Sequence, residues 1–128
     1  MKKLRVLIVD DSSVMRKIVE RSLRQAGLDL MEVLQASNGV EALVEVQKGN
    51  LDLILSDINM PAMDGIEFLR NLGTIDAAKG VPVVMITTEG SEARVVEALS
   101  VGAKGYIRKP FTTEQVKERV SALLGENQ

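Results

Sequence analysis

The stretch RVLIVDDSSVMRK, residues 5–17, joins two patterns of different period. Val6-Leu7-Ile8-Val9 is an unbroken β-favouring apolar run, the mark of a strand buried on both faces. From residue 13 onward the spacing becomes helical. Between the two stand Asp10 and Asp11, adjacent acids at the end of a buried strand. Two such charges about 4 Å apart repel by roughly 4 kcal/mol at an effective dielectric near 20. A chain that ends a strand this way needs a cation there.

The same alternation runs outward through the chain. Leu4–Val9 reads as the first strand. Val14, Met15, Ile18, Val19, Leu23 and Ala26 fall on one helical stripe over residues 13–26, with Arg16, Lys17, Glu20 and Arg24 off it and Gly27 as the stop. Met31–Ala36 is a second strand. Asn38 caps a helix carrying Val40, Leu43, Val44 and Gln47, ended by Gly49-Asn50. Leu51–Leu55 is a third strand, followed by Ser56-Asp57 and a Met-Pro-Ala-Met loop. Asp64 with Glu67 reads as a capping box for a helix through Ile66, Leu69 and Leu72. Val81–Ile86 is the fourth strand, with Pro82 near its start. Ser91 caps a helix through Val95, Val96 and Leu99 that closes near Gly102. Lys104–Ile107 is the last strand. Thr112 and Gln115 form a capping box for the final helix, with Phe111 and Val116 as a hydrophobic staple and Val120, Leu123 and Leu124 on its stripe.

Five non-alternating apolar strands separated by five helices predict an α/β fold with a doubly wound parallel sheet covered on both faces. The expected strand order is 2-1-3-4-5, which places ligands at the carboxyl ends, between strands 1 and 3. Residues 1–128 show no linker or repeat, and one domain is expected. At the carboxyl edge, strand 1 supplies Asp10 and Asp11, strand 3 Asp57, strand 4 Thr87 and Thr88, and strand 5 Lys109. Strands 1 and 3 are neighbours about 4.8 Å apart, so three carboxylates meet, and a lysine roughly 10 Å away can reach them. A divalent metal and Lys109 make the acids tolerable. Such a site suits a phosphoryl group: one carboxylate can attack phosphorus, the metal and lysine can hold the phosphoryl oxygens, and a threonine hydroxyl can donate a hydrogen bond. Asp52, at the wrong end of a strand, and Asp64, a cap, are left out. Met60 and Met63 read as loop packing.

Composition narrows the chemistry. Among 128 residues there is no cysteine and no histidine, so a thiolate, a disulfide and the usual general base are excluded. Any metal is held by carboxylates and carbonyls, which favours Mg²⁺, with Mn²⁺ the alternative. The net charge is −2 with signs interspersed, and Phe68, Tyr106 and Phe111 are the only aromatics, so no nucleic-acid surface is expected. Nothing resembles a signal peptide or a membrane span, and a soluble cytoplasmic protein is expected.

Taken together, Asp10-Asp11, Asp57 with NMPAMDG after it, Thr87, and KPF at 109–111 resemble the response-regulator receiver domain of two-component systems, over essentially the whole chain. The length suggests a CheY-like, stand-alone member. The resemblance implies that Asp57 accepts a phosphoryl group from a histidine kinase. Asp11, Asp57 and the Asn59 backbone carbonyl would hold Mg²⁺, with Asp10 acting through water. Lys109 would pair with the phosphoryl group, beside a cis Lys109-Pro110 bond. Thr87 would move toward it and Tyr106 would turn inward, remodelling the helix 4–strand 5–helix 5 face where partners bind. Asn59 and Glu89 match positions that tune phosphoryl lifetime, with a pair like that of chemotaxis-type members. A monomer that binds a flagellar motor switch is one expected output; a phosphorelay intermediate or the receiver of a larger regulator is the alternative. No turnover of an external metabolite is expected.

Other classes fit less well. An aspartyl-nucleophile phosphatase of the haloacid-dehalogenase type needs Asp-x-Asp after the first strand and a cap domain; here the strand gives Asp-Asp-Ser. A flavodoxin-like FMN carrier needs a hydroxyl- and glycine-rich loop there, and two acids would repel its phosphate. A degenerate receiver, serving only as an interaction module, would lack the acids or the lysine.

Overall fold

Strands apolar on both faces have to be covered twice, and the computed structural model shows how. It describes residues 3–88 and 92–124. In chain order the elements are β1 (Leu4–Val9), α1 (Ser13–Gln25), β2 (Leu30–Ala36), α2 (Gly39–Gln47), β3 (Leu53–Asp57), α3 (Gly65–Leu72), a 3₁₀ turn (Asp76–Ala78), β4 (Val83–Thr87), α4 (Glu92–Ser100), β5 (Gly105–Arg108) and α5 (Thr113–Leu124). All four strand pairings are parallel and the order is β2-β1-β3-β4-β5, as the alternation predicts.

Alternate residues of each strand feed two separate cores. Val6, Ile8, Leu53, Leu55, Val84 and Ile86 pack against Val19 and Leu23 of α1 and Val116 and Val120 of α5. Leu7, Val9, Ile54 and Met85 face the other way, onto Ala42 and Val46 of α2, Phe68 and Leu69 of α3 and Ala98 of α4. Burying a leucine- or isoleucine-sized side chain contributes about 1.5–3 kcal/mol, so these two layers are the main source of stability.

Local signals fix the helix starts. Asn38 Oδ1 accepts the Glu41 N–H at 2.9 Å, and Asp64 Oδ1 accepts the Glu67 N–H at 2.9 Å. The Thr112–Gln115 box is reciprocal: Gln115 N–H donates to Thr112 Oγ1 at 3.1 Å, and Thr112 N–H to Gln115 Oε1 at 2.9 Å. Phe111 and Val116 join the same core, as a staple requires. The expected Ser91 cap lies outside the described residues.

Two expectations are corrected. The third, fourth and fifth strands begin one or two residues later than the apolar runs suggest. Val81 N–H is spent on Ala78 O, closing the 3₁₀ turn, and Pro82 has no N–H, so β4 starts at Val83. The partner strand β3 shifts with it, and Asp57 becomes its last residue. The helical stripes are also narrower than the periodicity implies. Val14 and Ile18 on α1, Val40 and Val44 on α2, and Val96 and Leu99 on α4 are exposed. Each helix meets the sheet along one row, such as Val19, Ser22 and Leu23, and a residue one step off that row is turned by about 100°.

α4 is lightly held. Only Val95 and Ala98 are buried among its described residues. Partly and fully exposed charges tie it to α3: Arg94 Nη2 lies 3.3 Å from Asp64 Oδ2, and Arg70 Nη2 lies 2.9 Å from Glu97 Oε2.

Candidate functional site

Asp57 ends a strand whose five residues are all buried, and its own exposure is 9%. Its Oδ1 accepts the Ile58 N–H at 2.8 Å, and the Asn59 N–H also donates to the carboxylate. Oδ2 faces Lys109, with Nζ 3.7 Å away. Burial pushes the Asp57 carboxyl above the usual aspartate range; Lys109 pulls it down and Asp10 pushes it up further.

Asp10 is held at every polar atom. Its N–H donates to Ala36 O at 3.0 Å. Its Oδ1 accepts the Ser12 N–H at 2.9 Å, its Oδ2 accepts Lys109 Nζ at 3.0 Å, and its carbonyl accepts Arg16 Nη1 at 2.6 Å. Asp11 is exposed. One carboxylate oxygen from each of Asp10, Asp11 and Asp57 lies within 4.8 Å of the others. An all-oxygen donor set with this spacing fits a hard divalent cation. The lysine is nearer Asp10 than Asp57, a preference the strand spacing alone did not reveal.

Lys109 follows β5, and its own N–H donates to Thr87 O at 2.7 Å. The Lys109–Pro110 bond is cis, as expected. Thr87 is fully buried and Thr88 exposed. The register pairs Asp57 with Ile86 and Met85 with Tyr106. By alternation, Asp57 therefore belongs to the α1/α5 side of the sheet, and Thr87 and Tyr106 to the α2–α4 side. Asn59 is exposed in the loop after β3. Glu89 lies outside the described residues.

Residues 6–121 match the response regulator receiver domain. The chain belongs to the response-regulator receiver family. It is a receiver of two-component signalling, homologous to chemotaxis response regulators. It is 40% identical over 122 residues to the chemotaxis protein CheY-3 of Vibrio cholerae, covering 95% of this chain and 92% of that one. The structure of V. cholerae CheY4 superposes with a TM-score of 0.84 at 38% identity, over 96% of the receiver described here and all of CheY4. CheY from Borrelia burgdorferi, in a structure of a CheX–CheY–BeF₃–Mg²⁺ complex, matches with a TM-score of 0.83 at 35% identity, over 94% of this chain and 88% of that one.

Two residues at this receiver's site were missed in the sequence. Gly65 N–H donates to Ile58 O at 2.8 Å, and a Cβ on Gly65 would collide with the Asp57 carbonyl oxygen and lie 2.8 Å from Met85 Cε. Asp64 with Glu67 read as a capping box, and Gly65, inside the NMPAMDG stretch, was given no role of its own. Arg16 was placed only as a polar residue off the α1 stripe. Among the described residues, no helix is long and apolar enough to cross a membrane.

Proposed function

We propose that this receiver is a Mg²⁺-dependent phosphoacceptor switch in which Asp57 takes the phosphoryl group from a histidine kinase. One observation carries the reading: a nearly buried carboxylate at a strand end with Lys109 Nζ 3.7 Å from its Oδ2 and two further acids beside it. Asp57 Oδ2 attacks phosphorus, the P–N bond to the kinase histidine breaks, and the electron pair returns to the imidazole nitrogen. Lys109, now paired with Asp10, shifts its ammonium onto the phosphoryl oxygens. Thr87, the last residue of β4, moves over the sheet's carboxyl rim so that its hydroxyl donates to the same oxygens, and Tyr106, on the α2–α4 side, follows it inward.

Asp11, Asp57 and the Asn59 carbonyl would hold Mg²⁺, or Mn²⁺ in its place, with Asp10 acting through water. Bound there, the ion would neutralise the phosphoryl oxygens as charge builds on them. Hydrolysis reverses the state: water attacks phosphorus and the Asp57 carboxylate leaves. Asn59 and Glu89, at the positions that tune phosphoryl lifetime in the family, set the rate of that step. The chain transforms no external metabolite; it assists only its own phosphorylation and dephosphorylation.

The output is the α4–β5–α5 face, and the likeness to CheY-3 and CheY4 supports a chemotaxis target such as a flagellar motor switch. The receiver works in the cytoplasm as a monomer. Intact mass spectrometry after mixing with acetyl phosphate tests the chemistry. One added phosphoryl group is expected, dependent on Mg²⁺ and absent from Asp57→Asn. Failure with both acetyl phosphate and a histidine-kinase donor leaves a protein-interaction module instead.

A further inference from the structure

The two acids after β1 differ in how they are fixed. Asp10 is 3% exposed, and its carboxylate is held by Ser12 N–H and Lys109. Asp11 is exposed, and its direction depends on the peptide that joins it to Asp10. The carbonyl of that peptide accepts a 2.6 Å hydrogen bond from Arg16 Nη1. The Arg16 Nε donates in turn to Gln35 Oε1 on β2 at 2.7 Å, so the guanidinium is gripped from two sides. Its backbone is fixed as well, since Arg16 N–H donates to Ser12 O in the first turn of α1. A planar fork held this way has little freedom left to lose.

We infer that Arg16 is a positioning residue for the divalent cation: it clamps the Asp10–Asp11 peptide and thereby aims the Asp11 carboxylate at the ion. The inference rests on the proposed Mg²⁺ site. It opposes the simple electrostatic expectation, under which a cationic guanidinium beside three carboxylates weakens cation binding. The two views predict opposite signs. Groups that orient metal ligands change metal affinity by about 10–100-fold when removed.

The test is Mg²⁺ titration calorimetry on the full chain, with Arg16→Met, Arg16→Lys and Gln35→Leu beside the parent, and thermal melts in EDTA as the fold control. Arg16→Met is expected to bind Mg²⁺ about tenfold more weakly, and Gln35→Leu, which leaves the charge in place, to weaken binding in the same direction. Arg16→Lys is expected to fall between parent and Arg16→Met, because one ammonium can reach the carbonyl or Gln35 but lacks the fork. Phosphorylation by acetyl phosphate at saturating Mg²⁺ returns toward the parent rate in every variant. Unchanged or tighter Mg²⁺ binding by Arg16→Met overturns the inference. Should Arg16→Met melt below the assay temperature, Gln35→Leu decides alone, and parent-like affinity there overturns it. A parent that binds no Mg²⁺ overturns the proposed function together with this inference.

Discussion

Asp57 carries its charge where burial penalises it. A carboxyl whose folded pKa lies above its unfolded value gives the native state extra protons, so that contribution to stability is complete in acid and is lost as pH rises through the folded pKa. At neutral pH the ionised carboxylate therefore costs stability. Asp57→Asn should melt higher than the parent at pH 7, and the gap should close as pH falls into the ordinary aspartate range. Melts from pH 4 to 8 without Mg²⁺ check this; a gap independent of pH contradicts it. Lys109 has the opposite role. It is 10% exposed and faces Asp10 and Asp57, so Lys109→Met strips two nearly buried acids of their cation. Removing one partner of such a pair costs about 3–5 kcal/mol. Urea midpoints should show the variant recovering more stability from Mg²⁺ than the parent does. Asp10, Asp11, Asp57 and Lys109 were legible because each stands at the end of an apolar run. Gly65 and Arg16 were not, since the contact each makes depends on where a loop carries it rather than on a pattern within a segment.

At the scale of elements, capping chemistry was the most readable signal: Asn38, Asp64 and Thr112 each accept the expected N–H. Helix faces were less readable. Periodicity says which residues share a row but not which row meets the sheet, so Val14, Val40 and Val96 were assigned inward and point to solvent. Strand starts slipped for a related reason, because an apolar residue such as Val81 can close a turn as readily as join a ladder. The junction of β3 and α3 makes the sharpest demand on sequence. Gly65→Ala pushes a methyl group against the Asp57 carbonyl and Met85. Overpacking of this kind costs about 1–3 kcal/mol. Chemical denaturation should show that loss, and acetyl-phosphate labelling should slow as well, since Asp57 is the residue displaced. Thr112→Ala, whose hydroxyl bonds Gln115 N–H in the α5 cap, should cost about 1 kcal/mol and leave labelling unchanged.

Over the whole molecule, strand order followed from five apolar runs and the rules of parallel crossovers, whereas the distribution of stability did not. β1, β3 and β4 are buried almost throughout, while α4 rests on two buried side chains and exposed ion pairs. Amides of α4 should exchange with deuterium well before those of the central strands, and faster still in high salt, where exposed pairs are screened. Equal protection across the fold would contradict this. The sheet itself has a further consequence. It works as a wall, with Asp57, Asp10 and Lys109 gathered on one side and Thr87 and Tyr106 standing on the other. At the rim of that wall the Lys109 N–H bonds the Thr87 carbonyl at 2.7 Å. News of a chemical event on the near side can pass around this rim, peptide to peptide, to Thr87 and on to Tyr106, which packs against the far core. The outward helices are then free to acquire new listeners while the chamber behind them keeps the same chemistry.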